Sequence, residues 1–350
     1  MILWLVPPIT VLGVDSDTGL KFGLMFVPVF PLNYPQDQAG REILEQAQSA
    51  ENSGFDSLWA AQHHVTESEQ MFQPLPLLAR FSGDCPDMIL GTSALLLSLL
   101  NPVDVAEQAA NIDILCGGKF VLGVSLGYRD KEFQAFSIPK KSRVGRLTEG
   151  VKIIRKLWTE DNVSFRGRHF NFEDVSINPK PLQKPSPEIW IGADTEPGVY
   201  RAGQIGDAWI VSPRQSLTHV RKLLVKYREG AKNSGKGEGK LMLNRELHIA
   251  RDKDEAVKEA GPFVKSMYET YVKWGQPGER YDLSFEDLFR GRYIIGDAAW
   301  CIEELSNYIK ELKVDHISFR MTWPGMKHEH VVSSIRLFGE KVIPYFKETR

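Results

Sequence analysis

The 350 residues are 42% hydrophobic and 25% charged, the balance of a folded globular enzyme and not of a disordered or fibrous chain. A net charge of −2 provides no field for nucleic acid or for an anionic membrane surface. The length suits one α/β barrel with insertions, and three scattered cysteines, Cys85, Cys116 and Cys301, without a CxxC spacing, read as buried thiols of a cytoplasmic protein.

Residues 1–19 differ in character from the rest of the chain. The first fourteen are apolar and broken by proline, too short for a bilayer and without a basic residue before Lys21, so they read as an extension outside a barrel domain of residues 20–350. From Lys21 onward short apolar runs alternate with amphipathic stretches, the βαβα pattern of a parallel sheet. Strands are expected over residues 22–28, 55–60, 88–94, 120–125, 189–192, 207–211, 241–250 and 314–319. Helices are expected over 42–52, 103–115, 143–158, 195–204, 215–233, 252–273, 297–312 and 329–346; in the third, Val144, Leu147, Val151, Ile154 and Trp158 recur at helical spacing. Residues 163–177 alternate like a β-hairpin. Eight strands with helices between them predict a (β/α)8 TIM barrel. Residues 274–295 break the repeat and read as an insertion at the C-terminal strand face, where insertions build active-site mouths.

Candidate chemistry sits at those strand ends. His63 and His64, in Trp59-Ala60-Ala61-Gln62-His63-His64, follow the second strand on the face where barrels keep their active sites. Adjacent histidines lack the i, i+4 spacing of zinc ligands on one helix face, and no third ligand cluster is evident, so no metal is expected. Gly91-Thr92-Ser93-Ala94 ends the third strand with small side chains, which either admit a planar ring or relieve crowding at the rim. The run from Val121 to Asp130 holds two glycines and Arg129 but is no Rossmann fingerprint, so no nicotinamide domain is indicated. After the fifth strand, Gly192-Ala193-Asp194-Thr195-Glu196-Pro197-Gly198 opens a helix; its free N–H groups and Thr hydroxyl suit a phosphate, or serve only as a helix cap.

Taken together, Lys21-Phe22-Gly23, Gly54-Phe55-Asp56-Ser57-Leu58-Trp59, Gln62-His63-His64, Leu90-Gly91-Thr92, Asn101-Pro102-Val103, Gly118-Lys119-Phe120 and Tyr128-Arg129-Asp130-Lys131-Glu132-Phe133 resemble the luciferase-like monooxygenase family. Pro179-Lys180-Pro181, Ile189-Trp190-Ile191-Gly192 and Gly206-Asp207-Ala208-Trp209 keep the same order to the C-terminus. The resemblance implies a flavin-dependent oxidoreductase that takes reduced FMN from a separate flavin reductase and uses dioxygen to oxygenate a small, apolar organic substrate, as a homodimer. A deazaflavin-dependent dehydrogenase or reductase and a non-catalytic flavin binder are the alternatives on the same fold. By position His63 matches the family's active-site histidine, Ser93-Ala94 its non-proline cis peptide under the flavin, and Asp194, Thr195 and Gly198 its phosphate turn. Ser125 and Tyr128 join the cofactor set. The chain departs from the luciferases at Gln62, where they have Glu, and at Leu126, where they have a phosphate-binding Arg; Arg129 is the candidate replacement. Trp274, Tyr281, Phe285, Phe289 and Tyr293 are the candidate lid and substrate wall.

Overall fold

The computed structural model describes residues 19–274 and 291–348. In chain order its elements are β1 (Lys21–Phe26), β2 (Val29–Pro31), α1 (Gln36–Asn52), β3 (Ser57–Ala60), β4 (Glu69–Met71), α2 (Pro74–Asp84), β5 (Ile89–Thr92), α3 (Pro102–Leu115), β6 (Phe120–Val124), α4 (Asp130–Ala135), α5 (Arg143–Thr159), β7 (Val163–Arg166) and β8 (Asn171–Val175). There follow β9 (Glu188–Gly192), α6 (Glu196–Ile205), β10 (Ala208–Val211), α7 (Leu217–Asn233), β11 (Lys240–Ile249), α8 (Lys253–Lys273), β12 (Tyr293–Gly296), α9 (Ala298–Leu312), β13 (His316–Arg320), α10 (His328–Lys341) and α11 (Ile343–Glu348).

Eight parallel strands close on themselves in the order β1-β3-β5-β6-β9-β10-β11-β13, and β13 pairs back to β1. These are the eight strands expected from the sequence, and helices lie between them, so the chain is a (β/α)8 barrel. The period-two rule sorts each strand into an inner and an outer face. On β11, Met242, Asn244 and Glu246 point into the barrel, while Leu241, Leu243, Leu247 and Ile249 pack under the helices.

The barrel interior is filled below the strand ends. Trp59 stacks on Trp190 at 5.0 Å between ring centres, and His316 meets the Trp59 ring edge-on at 5.2 Å. The Trp59 indole N–H donates to Ser57 Oγ, which in turn lies 2.7 Å from His316 Nε2. Burial pushes the His316 imidazole down to about 3, so it is neutral in the fold. A Cβ on Gly91 would overlap the Trp59 ring. At Gly91 the missing side chain makes room for an indole of the protein's own core.

Several elements differ from expectation for identifiable reasons. Helix α2 is an addition to the expected elements; Pro74 and Pro76 stand in its first turn, where the missing N–H costs nothing. The C-terminal helix divides at Val342, because Pro344 cannot donate back to the carbonyl of Glu340. Within the expected insertion of residues 274–295, Tyr293 starts the short strand β12, which pairs with β11 from Glu246↔Tyr293 to Ile249↔Gly296 outside the closed ring. Tyr293 is buried in the small cluster with Val264, Met267 and Trp323, so it is a packing residue and not part of a lid. Tyr281, Phe285 and Phe289, like residues 1–18, lie outside the described residues. Among the described residues, no helix is long and apolar enough to cross a membrane.

Candidate active site

A cavity of about 260 Å³ opens at the C-terminal ends of the barrel strands. Its walls come from every strand of the ring: Met25 in β1 and Val27 just after it, Gln62 and His63 after β3, Ser93 and Ala94 after β5, and Ser125 to Tyr128 after β6. Gly192 to Thr195 follow β9, Ser212 to Arg214 follow β10, Asn244 and Glu246 come from β11, and Arg320 ends β13.

His63 is held from one side by Glu132. Its Nδ1 lies 3.1 Å from Glu132 Oε1, and the same oxygen accepts the backbone N–H of His64 at 2.9 Å. Glu132 is fully buried in α4. Burial alone would raise its carboxyl, but the His63 and His64 hydrogen bonds and the Arg129 charge outweigh that and hold it below the ordinary carboxylate value. A carboxylate there makes Nδ1 the donor and leaves Nε2 as the nitrogen that can take up or release a proton. The loop carrying the histidine is fixed by side-chain amides. Gln62 Oε1 accepts from the Leu96 N–H at 2.8 Å, Gln62 Nε2 donates to Gln73 Oε1, and Gln73 Nε2 donates to the His63 carbonyl. His64 turns away from the cavity onto Phe136, and burial lowers its imidazole below the ordinary value.

The wall after β9 and β10 holds a helix start, two arginines and Asp194. Thr195 is the N-cap of α6, its Oγ1 accepting from the Gly198 N–H at 3.3 Å. Arg214 is 4% exposed and donates to Asp194 Oδ2 at 2.7 Å, while Arg143 also lines the cavity and donates to the Gly127 carbonyl. Between these two walls the surface is made of small groups. A Cβ on Gly192 would sit 3.3 Å from Ser125 Cβ and 3.7 Å from Ala94 Cβ. Such a floor admits a flat ring, and the helix start with two guanidinium groups admits a phosphate. The residues present therefore fit FMN.

Of the residues expected from the sequence, His63, Ser93, Ala94, Ser125, Tyr128, Asp194, Thr195 and Gly198 all line this cavity. The Ser93–Ala94 peptide is cis. Arg129 does not line it: its guanidinium donates to the carbonyls of His64 at 2.7 Å and Val65 at 3.3 Å, and lies 4.1 Å from the centre of the Trp274 ring. The arginines that line the cavity beside the start of α6 are Arg143 and Arg214. Trp274 also meets His63 edge-on at 5.4 Å, so the start of the expected lid does reach the site. Sequence reading missed Glu132, Arg143, Arg214, Asn244, Glu246 and Arg320 as site residues. The period of two on β11 and β13 could have placed the last three inside the barrel; nothing local marks the others. All three cysteines are buried free thiols, and burial raises Cys85 and Cys301 far above the ordinary thiol value, so neither is activated.

The chain is similar in sequence and in fold to several known proteins. The chain is 26% identical to an F420-dependent glucose-6-phosphate dehydrogenase of Amycolatopsis mediterranei, over 87% of this chain and 94% of that one. It is 25% identical to the oxygenase component of a flavin-dependent trigonelline monooxygenase of Acinetobacter baylyi, over 90% and 92%. Among solved structures, the monooxygenase RslO1 of Streptomyces bottropensis superposes with a TM-score of 0.84 at 24% identity, covering 93% of this chain and 99% of that one. The family model for luciferase-like monooxygenases matches residues 20–316, and with its strands, its cavity and its histidine loop the chain belongs to that family.

Proposed function

We propose that this protein is an FMN-dependent monooxygenase that receives reduced flavin from a separate reductase and oxygenates a small organic substrate. The observation that carries the reading is one cavity holding both a carboxylate-oriented histidine and an anion wall, separated by a floor of small residues. Thr195, Gly198, Arg143 and Arg214 would hold the phosphate, and Ser93, Ala94, Ser125 and Gly192 would lie against the ring. When bound and reduced, FMN supplies the electrons that activate dioxygen. His63 manages one proton through Nε2, with Glu132 stabilising the charged imidazolium as it forms. Trp274, resting on Arg129 and His63, shields that corner from water.

The chain contains no Rossmann fingerprint, and the similarity to a protein named as an oxygenase component supports a partner that reduces the flavin. Pairing of two copies through the outer helices would leave the strand-end face open to incoming flavin. The similarity to an F420-dependent dehydrogenase supports a second reading, hydride transfer with a deazaflavin in the same cavity. Turnover of a substrate panel with photoreduced FMN under ¹⁸O₂ separates the two. The first reading predicts one labelled oxygen in product; an unlabelled product formed equally well without oxygen, on an oxidised deazaflavin that accepts hydride from the substrate or a reduced one that donates it, would replace it with the second.

A further inference from the structure

We propose that Arg129 is a positioning residue, which holds a strained turn at Val65 and thereby fixes the proton on one nitrogen of His63. The inference rests on the reading of His63 as the group that handles a proton. Val65 directly follows the histidine pair and has φ +49°, a left-handed conformation that a β-branched side chain rarely adopts. Two residues on, Glu67 repeats it at +43°. Strain of this kind persists only where surrounding groups over-determine the backbone.

Those groups come from one short segment at the start of α4, where Arg129 is the N-cap and Lys131 and Glu132 stand in the first turn. Arg129, 5% exposed, forks over two successive carbonyls, donating from Nη1 to His64 at 2.7 Å and from Nη2 to Val65 at 3.3 Å. Lys131 pairs with Glu67, an exposed contact of small worth. Glu132 gathers His63 Nδ1 and the His64 N–H on a single oxygen, which lies 3.5 Å from Arg129 Nη1. The His64 carbonyl belongs to the peptide whose rotation sets φ of Val65. Turning that peptide over would bring Val65 to an ordinary negative φ, but it would take the carbonyl off the guanidinium and set an N–H against it. Arg129 therefore opposes the relaxation that the Val65 side chain favours. Gln73 holds the loop on its other side, through the His63 carbonyl at 3.0 Å. Trp274 lies 4.1 Å from the guanidinium, centre to centre, and covers it. Once the hold is lost, the His63 ring is free to turn from Glu132, and the proton is no longer confined to Nδ1.

The test is ¹⁵N NMR of the full chain without flavin at about pH 8.5, well above the ordinary imidazole value, with the His63 signals assigned by their loss in His63→Ala. In the wild-type protein the neutral ring should carry its proton on Nδ1 alone. Arg129→Met, which keeps the stem and loses the fork, should show both tautomers in exchange, with the Nδ1 resonance moved toward that of a bare nitrogen. Adding Val65→Gly removes the strain that Arg129 works against, so the double variant should return to the wild-type spectrum. Where Arg129→Met does not fold, Arg129→Lys, whose ammonium cannot span both carbonyls, takes its place in the same comparison. A His63 spectrum that the Arg129 substitution leaves unchanged overturns the proposal. So does a double variant no closer to wild type than the single one, which would make Arg129 a packing residue, and so does a wild-type ring protonated on Nε2. Because the spectra are taken without flavin, a failure of the oxygenase reading shows separately, as product without labelled oxygen.

Discussion

His63 and Glu132 lie 69 positions apart in the chain and 3.1 Å apart in space, and that contact decides which ring nitrogen is available to chemistry. Replacing His63 by Ala should leave FMN binding intact and lower coupled oxygenation by ~100- to 10,000-fold, with reducing equivalents appearing as hydrogen peroxide. Peroxide yield per reduced FMN consumed measures this, and unchanged coupling would make His63 structural. Arg214 and Arg129 divide in the same residue-level way. Arg214→Ala should weaken FMN much more than riboflavin, which lacks the phosphate, whereas Arg129→Ala should affect the two ligands equally, because its guanidinium is engaged on the carbonyls of residues 64 and 65. Fluorescence titration with both ligands checks it, and equal losses for Arg214→Ala would move the phosphate elsewhere. The histidine was legible in the sequence because it directly follows a strand on the active face. Glu132 and Arg214 were not, because a side chain's destination across two loops leaves no local periodicity, and Arg129 was misjudged for the same reason.

At the level of elements, strands such as β6 and β10 were legible because they are short apolar runs buried on both faces. The sequence does not show which small residue faces the ligand and which faces the protein's own core. Gly91 is the case in point. Gly91→Ala drives a methyl group into Trp59 and should destabilise the fold by about 1–3 kcal/mol, the usual cost of overpacking, while FMN affinity is unchanged. Denaturant midpoints together with FMN titration distinguish this from a direct cofactor contact, in which affinity would fall and stability hold. Helix α2, with two prolines in its first turn, and β12, at the end of an aromatic stretch, were not among the expected elements; the meaning of both features depends on which turn of a helix or edge of a sheet they occupy.

For the whole molecule, two buried histidines and one half-buried one set the response to acid. His64, His248 and His316 all have imidazoles lowered chiefly by burial, so the unfolded chain binds protons that the fold does not. Stability should therefore be full above the ordinary histidine value of 6.5 and fall as pH drops below it. For His316, held at about 3, the loss between pH 7 and pH 5 is roughly 2 kcal/mol. Urea unfolding at the two pH values should show that loss, and His316→Gln should reduce it; an identical pH dependence in the variant would contradict the assignment. The central claim, an oxygenase that depends on another protein for reduced flavin, has a direct test in stopped-flow absorbance at the flavin band. Mixed with NADH, the FMN-loaded protein should keep its flavin absorbance until a flavin reductase is added, and free reduced FMN should replace that reductase in supporting turnover. Rapid bleaching of the bound flavin by NADH, with no second protein present, would contradict the account.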